Sequence, residues 1–205
     1  MSLMSLLSHV PLYVGLQRVI GADRLRHRCI EELGLRPGEA VLDLGCGPAY
    51  YFDRLLQPLT YHGFDTDAGY LAWARARWGE QATFHDGTFD DHSAVGLPPF
   101  DAVLLLGLLH HLSDEESCAL LGLVATVLAP GGRVVSVDTC FEPTQGRVSR
   151  WMADHDRGEH VREPEAFLAL GQDAFTEARG EVIKDGTRLP GSYWLMHLGG
   201  TPAGG

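Results

Sequence analysis

Asp43, Asp65 and Asp86 each stand at the end of a short apolar run, and the first is followed at once by Gly45-Cys46-Gly47. Glycines placed directly after a strand let the backbone turn tightly and approach a ligand closely, so the spacing points to a nucleoside cofactor. A dinucleotide fingerprint wants a third glycine at position 50, where Tyr50 stands, and a phosphate-binding P-loop wants a lysine that does not follow these glycines. A carboxylate at position 43 repels a pyrophosphate and attracts an ammonium, and it would lie near a sulfonium. The loop therefore suits a cationic nucleoside. Asp65 is placed to accept ribose hydroxyls, and Asp86-Gly87 to accept an adenine amino group beside room for the ring. Together the three acids read as one acidic rim.

A second set of reactive groups lies further along. His110-His111 follows the fourth apolar run, where a histidine near neutrality can take a proton from an acceptor hydroxyl or amine. The competing reading makes one of the pair a structural residue facing the next helix. The stretch His155-Asp156-Arg157-Gly158-Glu159-His160-Val161-Arg162 is the densest titratable run. It reads either as solvated loop or as a cap over the acceptor, with His155 and His160 as catalytic candidates and Arg157 and Arg162 drawing in a carboxylate-bearing acceptor. No spacing in it fits a metal set. Tyr13, Tyr50, Trp151 and Trp194 read as core or rim aromatics before substrate platforms.

These groups need a scaffold that gathers strand ends. Residues 40–44, 61–64, 83–85, 100–106 and 133–138 read as strands, separated by helical patterns at 49–57, 67–78, 91–95 and 114–128. Ser113 with Glu116 forms a capping box, and Pro130-Gly131-Gly132 ends that helix. Beyond Asp138 come helical stretches at 146–156 and 163–170, then a hairpin of 181–188 with 193–198. Residues 199–205 carry no large apolar side chain and read as a disordered tail. The expectation is an α/β, doubly wound, mostly parallel seven-stranded sheet with an antiparallel C-terminal hairpin strand in a single domain. Within it, 1–30 is a helical arm or cover, 31–198 the main domain, and about 143–172 a helical cap.

The 205 residues carry 16 Lys+Arg against 27 Asp+Glu, a net charge of −11, which opposes nucleic acid and anionic membranes as partners. With 45% apolar and 21% charged residues the chain is an ordinary globular one, able to bury roughly 70% of its surface without staples. Cys29, Cys46, Cys118 and Cys140 are scattered without C-x-x-C spacing and read as buried reduced thiols of a cytoplasmic protein. The apolar start lacks a basic n-region and a cleavage pattern and is interrupted by Pro11, so it is read as cover or arm and not as a leader.

With these residues in place, the chain resembles the class I S-adenosylmethionine-dependent methyltransferases, the seven-stranded Rossmann-like family. VLDLGCGPA at 41–49 is similar to that family's first motif, with Pro48-Ala49 where threonine-glycine is commoner. GFD at 63–65, HDG at 85–87, FDAVLLLGLLHHL at 100–112 and LAPGGRVVSVD at 128–138 resemble the motifs that follow, in order. The resemblance implies S-adenosylmethionine as cofactor, held by Asp43, Gly45, Cys46, Gly47, Asp65, Thr66, Asp86, Gly87 and Leu106, with no metal. It implies methyl transfer to a small-molecule acceptor, at oxygen or nitrogen before carbon, by a monomer or homodimer. The end of the fourth strand reads Gly107-Leu108-Leu109-His110, not the (D/N)-P-P-(Y/F) that would point to DNA bases or glutamine. The rival readings are a non-catalytic cofactor-binding module regulating a partner and an NAD-dependent oxidoreductase.

Overall fold

The apolar runs form the interior of a sheet covered on both faces. The computed structural model describes residues 10–55, 58–156, 158–184 and 186–203. Strands β1 (Ala40–Leu44), β2 (Thr60–Asp65), β3 (Thr83–Asp86), β4 (Phe100–Leu106) and β5 (Leu128–Thr139) are parallel to one another. β6 (Phe175–Ile183) and β7 (Tyr193–Pro202) complete the sheet, in the order β3-β2-β1-β4-β5-β7-β6, with β7 antiparallel to both its neighbours. The order reverses at β1, so the crevice above β1 and β4 is the switch point at which open α/β sheets bind ligands.

The helices are α1 (Val10–Ile20), α2 (Ala22–Leu33), α3 (Ala68–Trp78), the single turn α4 (Asp91–Ala94), α5 (Asp114–Val127), α6 (Arg147–Asp154) and α7 (Pro164–Ala174). Every residue of β1 is buried, as a central parallel strand requires. Leu25, Cys29 and Leu33 of α2 and Leu71 and Ala74 of α3 share one core with Val41, Tyr61 and Leu104. Leu121 and Val124 of α5 and Phe167 and Leu170 of α7 share the other with Leu42, Leu44 and Leu105. Local signals fix the ends: Asp67 accepts from the amides of Gly69 and Tyr70 at the start of α3, and Ser113 and Glu116 close the capping box of α5. α1 packs on α2 and α3, and its end is tied to the β6–β7 loop by Arg188, whose amide donates to Ile20 O at 2.7 Å. It thus stretches along the carboxyl edge of the sheet.

Four expectations change. Of the helix expected at 49–57, the described residues 49–55 hold only a 3-10 turn at Phe52–Arg54, because Tyr50, Tyr51 and Phe52 are all drawn into the core. β5 begins at Leu128, running through Pro130-Gly131-Gly132 with a register shift opposite Phe100 and Ala102. The tail is not disordered through its described part: Gly199 pairs with Glu177 and Pro202 with Phe175, because ladder hydrogen bonds need no apolar side chain. Cys118 is exposed on α5, while Cys29, Cys46 and Cys140 are buried free thiols. Among the described residues no helix is long and apolar enough to cross a membrane.

Candidate functional site

The loop after β1 is shaped by positive φ at Gly45 (72°), Gly47 (55°) and, unusually, Ala49 (45°). A Cβ at Gly45 would press on Leu108 Cδ1 at 3.2 Å, so the absence of a side chain is what lets the loop close on the β4 end. Asp65 organises this loop from β2: its Oδ2 accepts from Gly47 N at 2.7 Å and its Oδ1 from Asp67 N at 2.8 Å. A carboxylate has about four acceptor positions, so these two bonds leave room for ligand hydroxyls. Asp86 is the register partner of Asp65 on the neighbouring strand and is exposed, as is Thr66. Gly87, at φ 112°, donates its amide to Asp65 O. Cys46 contributes backbone only: its amide meets Phe64 O and its thiol is buried against Gly63, with burial pushing it far above the ordinary thiol range. Leu106 is buried where β4 ends.

Asp43 does not lie on an open rim. It is fully buried, and the hydroxyls of Tyr51 and Tyr61 donate to its Oδ2 at 2.8 and 2.6 Å. Burial drives its pKa up to about 6 against the pull of the two tyrosines, and Asp65 nearby adds to the rise. Its Oδ1 is buried with no hydrogen-bond partner among the described residues. An orphaned carboxylate oxygen under a glycine cradle fits an ammonium-bearing nucleoside, since such a group is costly to bury unless a ligand satisfies it. Neither tyrosine featured in the sequence reading. The usable signal was Tyr61, whose place in β2 puts it on the same face as Asp43.

The acceptor-side candidates separate. His110 is buried, its Nδ1 2.8 Å from Asp138 Oδ1 at the end of β5 and its Nε2 3.2 Å from Asp156 Oδ1 after α6. Burial disfavours the charged ring, but the hydrogen bonds and charges of both aspartates outweigh it and raise the pKa to about 9. Asp156 is correspondingly held down at about 2, burial being overcome by His110, the Gly158 amide and the Thr139 hydroxyl. A carboxylate oxygen thus faces each ring nitrogen of His110, so the ring is held from both sides. Gly158 lies directly on the ring, where any side chain would collide with His110. His160 donates its amide to His110 O at 2.9 Å.

The remaining cap residues are largely committed to structure. Arg162, buried, donates to Leu109 O, His160 O, Leu112 O and Asp114 Oδ1 at 2.6 to 3.0 Å and lies over Phe167, so it is not available to draw in an anion. His155 is exposed, bonded to Trp151 O and stacked on the Trp151 ring at 4.5 Å. His111 is exposed beside His110, with ring centroids 4.2 Å apart. Trp194 is core. Arg157 and the side chain of Tyr13 lie outside the described residues. Among the described residues no group of three or more metal-capable side chains forms.

A sheet of this order, with a glycine cradle and strand-end acids at its switch point, is the architecture of class I S-adenosylmethionine-dependent methyltransferases. Residues 41–132 match the family model described as a methyltransferase domain. An uncharacterized methyltransferase of Anoxybacillus flavithermus is 31% identical over 109 residues, 52% of this chain and 50% of that one. The pyocyanin biosynthetic protein PhzM superposes with a TM-score of 0.70 at 19% identity, covering 98% of this chain and 62% of that one. Human N-acetylserotonin methyltransferase, in complex with S-adenosylmethionine, superposes with a TM-score of 0.64 at 18% identity, covering 91% and 53%. The chain thus spans roughly half to three-fifths of the length of these proteins. The domain match and the sheet order give this chain the fold of the class I methyltransferases, a family whose cofactor is S-adenosylmethionine.

Proposed function

We propose that this protein is an S-adenosylmethionine-dependent methyltransferase of a small-molecule acceptor, transferring to oxygen or nitrogen. The observation that carries the reading is Asp43 Oδ1, a buried carboxylate oxygen without a partner among the described residues, at the end of β1 just before Gly45 and Gly47. When bound, the cofactor supplies a sulfonium methyl open to in-line attack. The chain's part is to hold and to exclude. Asp43 would pair with the ammonium, Asp65 and Asp86 would accept from ribose and adenine, and Leu106 and Leu108 would shield the region from water. His110, clamped between Asp138 and Asp156, is assigned a positioning role: it fastens the segment at 156–160 over the β4 end, so that the acceptor is aligned chiefly by confinement. In this reading residues 31–198 form the catalytic unit, about 143–172 its cap, and α1 part of its cover. A small-molecule acceptor also suits the name of the N-acetylserotonin methyltransferase with which the chain superposes.

Calorimetry tests this directly. S-adenosylhomocysteine should bind, Asp43→Asn should weaken it at least tenfold, and NADH should not bind at comparable concentration. Tight NADH binding with no response to S-adenosylhomocysteine would replace the assignment with an oxidoreductase.

A further inference from the structure

Arg162 of the cap is spent on structure, yet two other arginines converge elsewhere. Beneath α1 lie two adjoining cavities of about 260 and 290 Å³, and Arg18 and Tyr50 line both. Their joint size is that of a small-molecule site. The first is bounded by Val14 and Arg18 of α1, by Tyr50, and by Trp73 and Arg77 of α3. Among the described residues its charged lining groups are the two guanidinium groups, whereas the second cavity also carries Asp23, Asp53 and Arg54, so a carboxylate is placed in the first. The Arg77 guanidinium sits over the rings of Trp78 and Trp73, at 4.7 and 5.6 Å from their centroids, which pins the charge while leaving its in-plane N–H donors for another partner. Among the described residues, the arginines engaged by carboxylates are Arg28, Arg54, Arg133, Arg150 and Arg162, not Arg18 or Arg77.

This concentration is at odds with a chain of net charge −11 whose strand ends are acidic. The cleft also adjoins the cofactor cradle: Tyr50 follows Ala49, and the space where Gly47 lacks a side chain faces Tyr70, one turn before Trp73 on α3. The lining brings two guanidinium groups together with the rings of Tyr50 and Trp73, the first of which also carries Arg26 and the second Arg77. Carboxylates pair with guanidinium in fixed, often bidentate geometry, and planar bodies pack on tyrosine and tryptophan.

We infer that the cleft beneath α1 is a binding site for a planar carboxylate next to the cofactor, with Arg18 and Arg77 facing its charge and Tyr50 and Trp73 its flat body. The inference rests on the methyltransferase reading only in making this ligand the methyl acceptor. The same chemistry has a second source, the carboxylate of the cofactor's own amino acid, and the experiment separates them.

Calorimetry on the whole chain, with and without saturating S-adenosylhomocysteine, would use 2-naphthoate as probe and neutral 2-naphthylmethanol as its control. The expected result is that 2-naphthoate binds the loaded protein at least tenfold more tightly than the alcohol. The double variant Arg18→Gln/Arg77→Gln should lose at least tenfold in naphthoate affinity while holding S-adenosylhomocysteine within twofold. Gly15→Leu is a second route, since a Cβ at Gly15 meets nothing within 4 Å and the side chain would fill the cleft without disturbing its walls. It should abolish naphthoate binding at unchanged melting temperature. If the double variant instead weakens S-adenosylhomocysteine tenfold but not 5′-methylthioadenosine, which lacks the carboxylate, the site stands and its carboxylate is the cofactor's. Naphthoate binding that is absent, or indifferent to both the double variant and Gly15→Leu, together with unchanged S-adenosylhomocysteine affinity, overturns the inference. A wild-type chain that fails to bind S-adenosylhomocysteine sinks the methyltransferase reading, whatever naphthoate does.

Discussion

The glycine-loop edge and the cap are both rich in charge, but they treat it in opposite ways. At the loop, Asp43 is sealed in with one oxygen satisfied by two tyrosines and the other by nothing among the described residues. In the cap, His110 has a carboxylate on each nitrogen and Arg162 has four acceptors. Residue type alone made the cap look the more reactive. Counting partners reverses that: unmet hydrogen-bonding capacity marks where a ligand is expected, and met capacity marks scaffold. Asp138 Oδ2, at the end of β5 beside His110, is buried and without a partner among the described residues, and so keeps something of the loop's character.

The contrast can be broken most forcefully at His110. Replacing it with alanine leaves Asp138 and Asp156 without the cation between them, and chemical denaturation should show a loss of about 3 to 5 kcal/mol, the range for breaking a buried ion pair. A loss below about 1 kcal/mol would mean that the cluster is not a clamp. At the loop the penalty should fall on binding instead. Asp65→Ala removes the acceptor of Gly47 N and should weaken S-adenosylhomocysteine by about 1 to 3 kcal/mol in calorimetry, with a smaller effect on the melting temperature.

Acid sharpens the comparison because the two regions titrate with opposite sign. Asp43 has its pKa raised to about 6, so its protonated form competes with an ammonium. Affinity for S-adenosylhomocysteine should rise from pH 5 to 7, by less than tenfold per unit, with proton release detectable by calorimetry in buffers of different ionisation enthalpy. The clamp behaves otherwise. His110, raised to about 9 from an ordinary value near 6.5, contributes stability that is full below about 6.5 and is lost as pH climbs through 9. Asp156, lowered to about 2 from an ordinary value near 3.9, contributes above about 3.9 and is lost as pH falls through 2. Denaturation of wild type against His110→Ala should therefore differ most between pH 4 and 6.5 and converge above 9. The smallest effect belongs to Trp151, 59% exposed on α6, whose change to alanine should shift stability by no more than about 0.5 kcal/mol.

The strand ends were legible because glycines, acids and apolar runs at fixed offsets are local, and local signals survive in a linear reading. Asp65 and Asp86 could be placed side by side from strand order alone. The partners of His110 could not, since Asp138 is 28 residues away and Asp156 reaches the ring only because Gly158 lets the chain fold onto it. The two tyrosines on Asp43 were hidden for a similar reason: the helix expected at 49–57 would have carried Tyr51 on a regular surface, whereas the core pulls it under the strand. Pairing of residues 199–202 escaped notice because backbone ladders leave little trace in side-chain type.

The place of β7 has a consequence for the order in which the molecule can be made. It follows the other six strands in sequence yet lies inside the sheet, between β5 and β6. As the polypeptide leaves the ribosome, β1 to β5 can assemble with their helices, but β6 has no strand to join. Until β7 emerges, the flank of β5 from Arg133 to Thr139 presents unpaired amides and carbonyls. The final strand thus closes two seams at once, and the interval before its arrival is when the nascent chain is most open to pairing with the wrong neighbour.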